Sequence, residues 1–288
     1  MKKYFNLTLD YFKRNWVSIF LHVIFVALLY TYFISPTSSF EYIIKNIETL
    51  DVRHAWEIFV QINDGSKWSS WQYIVFYFLV IAITIVVFSS FIGNVQNKMR
   101  YGRTVYGGIG GVFKRTNENL FATLRAGIVL IISMEFFALL MSAVIYFAIK
   151  VTTIAAVRIV LVCLIGVVII ALMFYGVAWI SCALPNMTMR NEGVFVSIKR
   201  SMAMMKDKEL KVFGLFIIPI IITFIPMLIC TGFDLVYDHI ILTIFRYVCN
   251  FVFYMFSFSY YIVLMYVVFF EVNEIEREDL NLENKWRL

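Results

Sequence analysis

Six times along this chain of 288 residues an apolar run of about 20 residues recurs with few or no charges, and each is long enough to cross about 30 Å of hydrocarbon as a helix. The runs cover 16–35, 71–93, 124–149, 159–184, 212–232 and 247–270. Inside a bilayer each backbone N–H and C=O must find its partner within the protein, and for isolated apolar runs that leaves the helix. Composition agrees, with 61% hydrophobic and 15% charged residues, against about a quarter charged in a soluble domain. A soluble enzyme, a disordered chain and a secreted disulfide scaffold are excluded. The expected fold is all-α, a polytopic membrane protein of six transmembrane helices in a single integral domain, 1–288. The third and fourth runs are parted only by the stretch from Lys150 to Arg158, whose charges mark a break.

Orientation follows from the distribution of Lys and Arg between loops. Of the 25 basic residues, all but Lys45, Arg53, Lys67, Lys150, Arg158 and Arg246 fall on one side, so both termini are predicted to be cytoplasmic. The first run has a basic start like a signal peptide, but Ile34-Ser-Pro-Thr-Ser-Ser39 has no cleavage-site pattern, and it is read as a retained helix. On the outer side, Phe40, Ile43, Ile44 and Ile47 recur at helical spacing and predict a surface-lying helix. Trp56, Trp68 and Trp71 are read as headgroup-level anchors.

Three basic stretches precede the outgoing spans: Tyr11-Phe-Lys-Arg-Asn-Trp16, Val112-Phe-Lys-Arg-Thr-Asn117 and Ser197-Ile-Lys-Arg-Ser-Met202. In each, an apolar residue precedes Lys-Arg and a small polar residue follows. Two readings stand: three parallel hairpin repeats, each an interfacial amphipathic helix with a span out and a span back, or the orientation rule acting three times. The six basic residues, Lys13, Arg14, Lys114, Arg115, Lys199 and Arg200, are candidate contacts for anionic headgroups or a partner protein. Residues Glu192 to Lys211 form the best-defined interfacial helix, with Phe195, Ile198, Met202 and Met205 on one face.

Polar residues inside apolar runs are costly and so informative. Glu135 lies within the third run and must face the bundle interior, carry a proton or have a partner. Gly127, Ile131, Glu135, Ala138 and Ser142 make a small and polar stripe of the kind that packs inside a bundle. Ser257 and Ser259 lie at similar depth and His22 somewhat nearer the cytoplasm, so these four are the candidate intramembrane polar site, as a proton relay or as a structural hydrogen bond. Pro219 and Pro226 share nearly one face of the fifth run and predict kinks.

Chemistry-bearing motifs are missing. Tyr106-Gly-Gly-Ile-Gly-Gly111 lacks the Lys-Ser/Thr of a phosphate loop and reads as a flexible connection. His22, His54 and His239 lie in different segments, and no HExxH or GxSxG occurs. Cys163, Cys182, Cys230 and Cys249 form no CxxC and read as small buried hydrophobes. No catalytic residue, metal site or cofactor is expected, and no nucleic-acid partner. The acidic tail 271–288 reads as a solvated cytoplasmic end.

The stretch from Phe174 through Leu184-Pro185 to Asn191-Glu-Gly-Val-Phe-Val-Ser-Ile-Lys-Arg-Ser-Met-Ala-Met-Met-Lys206 resembles a broad group of bacterial six-span proteins, among them the membrane domain of some glycerophosphodiester phosphodiesterases. The likeness covers about a third of the chain and is carried by the Leu-Pro end of a span, Glu-Gly and an Arg-Ser pair. It implies fold and a bacterial cytoplasmic membrane, and it transfers no catalytic residue. The expected function is therefore a non-enzymatic, lipid-facing or partner-binding subunit of a membrane complex. Alternatives are a small-solute or lipid transporter, proton-coupled through Glu135, or a permease subunit needing a separate ATPase.

Overall fold

The computed structural model describes residues 1–33, 70–103, 108–152, 154–237 and 239–280. The outer segment with its surface helix, and Trp56 and Trp68, lie outside the described residues, as does the side chain of Trp71. Among the described residues there is no strand. The helices are α1 (Lys2–Phe33), α2 (Ser70–Tyr101), α3 (Gly108–Val151), α4 (Ala155–Trp179), α5 (Ala183–Met189), α6 (Val194–Met205), α7 (Glu209–Phe216), α8 (Ile225–Tyr237) and α9 (Ile240–Val272). A π turn at Ile220–Phe224 joins α7 to α8. Six helical stretches are long and apolar enough to cross a membrane, so the chain is an all-α polytopic membrane protein.

The helix α9 runs through the middle. Between Tyr260 and Phe270 almost every side chain is buried, which is how a helix reads when neighbours surround it. Its main partner is α1, and α2, α5 and α8 pack on it as well. Aromatic contacts join these helices: Tyr30 meets Tyr254 and Phe258 edge-on at 5.3 and 5.0 Å, Phe88 meets Phe258 at 5.3 Å, and Phe216 stacks on Tyr261 at 5.4 Å. Lipid offers no hydrophobic drive between helices, so such packing and hydrogen bonds must hold the bundle.

The break at 150–158 is present. Arg158 folds back so that its Nε donates to the Thr152 carbonyl at 2.7 Å, satisfying the end of α3 with a cation where the helix dipole is negative. Two expectations change. The first two basic stretches are not separate interfacial helices: Lys13-Arg14 lies inside α1 and Lys114-Arg115 inside α3. Only the third stands alone, as α6, because Asp207 takes a left-handed backbone (φ 68°) between α6 and α7. The glycine run, read as flexible, is helical from Gly108 onward.

The chain end also differs from the solvated tail expected of it. The helix α9 closes in a Schellman turn, Ile275 N–H donating to Phe270 O at 3.0 Å with Glu274 left-handed at φ 54°. That turn sends the chain back against α1. There Arg277 and Asp279 are 3% and 7% exposed and pair at 2.8 Å, and Arg14 donates to the Asp279 carbonyl at 2.9 Å. Residues 281–288 lie outside the described residues.

Candidate functional site

Most of the polar contacts between helices gather at one end of the bundle, where the N-terminus of α1 meets the C-termini of α2 and α9. Lys3 pairs with Glu271 at 2.5 Å, Lys98 donates to Asn15 at 2.8 Å, and Asn94 donates to Ser18 at 2.7 Å. Tyr266, on the central helix, has its hydroxyl 2.5 Å from Thr188 of α5 and accepts from Gln96 of α2 at 3.1 Å. This is the basic end.

The three Lys-Arg pairs share a division of labour there. Lys13, Lys114 and Lys199 are exposed. The arginines reach protein partners: Arg14 donates to the Asp279 carbonyl and Arg200 pairs with Glu192 while both stay exposed, and Arg115 sits 4% exposed between α2 and α3. An arginine fork satisfies several acceptors at once, whereas a lysine is a strongly hydrated point charge on a long stem. Of the six candidate contacts, Arg115 is the one removed from the surface.

The small polar residue after the third pair fastens its helix to the bundle. Ser201 accepts from Cys182 N–H and donates to Trp179 O, both at 3.0 Å, closing the turn between α4 and α5 and fastening α6 to it. Ser197, Ser201 and Met205, spaced by four, form the docked face of α6. The opposite face is open: Phe195 is 87% exposed, with Val196, Lys199 and Met202 exposed around it. Expectation had Phe195 and Met205 on one face; Met205 is buried and Phe195 is not.

A cleft of about 370 Å³ opens beside this region between α2, α3 and α5. Arg100, Arg103, Glu118, Gln96, Asn97 and Thr188 contribute to its wall. Two guanidinium groups, a carboxylate and two amides give it a polar wall of mixed charge. The sequence reading passed over Gln96, Asn97 and Thr188; amide residues beside Lys98 at the end of an apolar run were the available signal.

Of the intramembrane candidates, Glu135 lies on the surface of the described bundle, and the other three are buried or half-buried. Glu135 is exposed on α3, in a stretch where Leu130, Ile132, Phe136 and Leu139 are exposed too, and among the described residues no helix covers that face. It does not face the bundle interior. His22 is half-buried, its Nδ1 2.6 Å from the Ser18 carbonyl and its ring against Phe91. Ser257 and Ser259 are buried on α9, and Ser259 donates to Met255 O at 2.6 Å within its own helix. Pro219 and Pro226 bracket the π turn, where Ile225 N–H bonds to Ile220 O, so the irregularity expected of the prolines lies between them.

The cysteines are not all simple buried hydrophobes. Cys182 is buried, but Cys230 and Cys249 are partly exposed, and their sulfurs lie 3.6 Å apart across α8 and α9. Among the described residues no group of three or more His, Cys, Asp or Glu side chains could hold a metal ion. In comparisons with known proteins the chain matches no family model, no curated protein and no solved structure.

Proposed function

We propose that this chain is a non-enzymatic subunit of a membrane complex in a bacterial cytoplasmic membrane, with both termini cytoplasmic, and that it meets anionic lipid headgroups or a partner protein at its basic end. The observation that carries the reading is α6. It is docked through Ser197, Ser201 and Met205 and leaves Phe195 uncovered beside Lys199. An apolar ring flanked by cations suits the boundary between headgroups and acyl chains. The exposed Lys13 and Lys114 add charge at the same end. The resemblance of 174–206 to bacterial six-span proteins supports the same location.

The test is a photo-crosslinking residue in place of Phe195, activated in native membranes. Phospholipid adducts or one dominant protein adduct support the reading. Recovery of uncrosslinked protein alone, with a buried control position behaving identically, overturns it.

The transporter reading draws on the interrupted fifth span, since a broken helix can line a binding site. Its proton-coupled form requires Glu135. Transport that persists at wild-type rate in E135Q sinks that mechanism.

A further inference from the structure

We infer that Cys230 and Cys249 form a reversible dithiol/disulfide pair whose oxidant is a lipid-soluble quinone. The inference rests on geometry and does not depend on the function proposed above. Cys230 lies on α8 and Cys249 on α9, and the two thiol sulfurs are 3.6 Å apart. A disulfide needs about 2.05 Å. The sulfurs must therefore approach by about 1.5 Å, within reach of side-chain rotation on two helices that already pack together.

Position selects the oxidant. Cys230 is seven residues before the end of α8 at Tyr237, and Cys249 is nine residues after the start of α9 at Ile240. At about 1.5 Å per residue both sit roughly 10–14 Å from the helix ends, inside the apolar layer. Both residues are only partly buried by protein, which leaves that face within reach of a molecule dissolved in lipid. A soluble thiol–disulfide exchanger must bring charged surface to that depth, at a high cost.

The reaction balances without separating charge. The two S–H bonds break and one S–S bond forms, while two electrons and two protons pass to the quinone, which becomes a hydroquinone. A transfer that leaves no ion behind suits a low-dielectric site. The bridge ties the second half of the fifth span to the central helix, just beyond the π turn at Ile220–Phe224, where Phe224 already packs against Phe253. It would hold the interrupted helix in its present register.

The test uses the intact protein in its own membranes, reduced and then incubated with a fully substituted ubiquinone-type quinone, whose ring carbons are blocked to thiol addition. Thiols are counted after denaturation with a maleimide polymer tag. The expected result is four reactive thiols before and two after, with a peptide joining Cys230 to Cys249. C182A should still lose two thiols, and C230A and C249A should lose none. Four reactive thiols after quinone, or a bridge joining other cysteines, overturns the proposal.

Discussion

Arg115 lies over Gly93: a Cβ placed on Gly93 would stand 2.9 Å from the Cβ of Arg115 and 2.9 Å from Nδ2 of Asn119. That contact lets α3 approach α2 closely enough for Ser89, Ser90 and Asn94 on one helix and Asn119 and Thr123 on the other to be buried together. The obstacle on the α3 side includes a Cβ, which moves only if the helix moves. Gly93→Ala should therefore destabilise the protein by about 1–3 kcal/mol, the usual cost of overpacking. Thermal unfolding in detergent measures it, and Gly127→Ala is the control, since a Cβ there meets Ile85 at an ordinary 3.8 Å. Equal effects at the two positions would contradict the close-approach account.

A buried ion pair near the chain end carries a larger penalty when it is halved. Arg277→Ala leaves the Asp279 carboxylate buried without its guanidinium, at a cost of about 3–5 kcal/mol, whereas replacing both residues by Met and Leu should be much milder. The same change should free residues 275–280 from α1. Limited proteolysis of the C-terminal end, with and without the double replacement, reads this directly. Protection unchanged in Arg277→Ala would show that the strap is held by something else.

Glu274 closes α9 in a left-handed conformation that costs an L residue about 1–2 kcal/mol and costs glycine almost nothing. Glu274→Gly should therefore leave the protein equally stable or raise its stability by up to about 1 kcal/mol, once the extra freedom of the unfolded chain is set against the relief of strain. Glu274→Ala, which keeps the strain and removes only the charge, should not. A melting temperature lower in the Gly variant than in the Ala variant would contradict this.

The exposed lysines and the engaged arginines should separate in a lipid assay. Replacing Lys13, Lys114 and Lys199 together by Gln removes up to about 1 kcal/mol of attraction to an anionic surface for each residue. Co-purified anionic phospholipid, counted by native mass spectrometry, should fall by an order of magnitude or more while the melting temperature holds. Arg115→Gln should do the reverse and lower stability, because its position is 4% exposed between two helices. The lysine effect should shrink as salt rises, since exposed charges are screened.

Six spans, the break after Lys150 and the concentration of basic charge at one end were legible in the sequence. Each depends on a segment's own transfer into lipid, a sum over consecutive residues that no distant contact changes. That Arg115 rather than Lys114 would be buried, and that Arg14 would meet the Asp279 carbonyl, was not legible, because each depends on a neighbour distant in sequence: Gly93 against Arg115, residue 279 against α1. The same holds for Cys230 and Cys249, nineteen positions apart and brought to 3.6 Å only by the pairing of α8 with α9. Glu135 shows the limit from the other direction. Within its stripe Ser142 is buried, as that spacing suggests, yet Glu135 itself is exposed, because a side chain is buried only where a neighbour meets it.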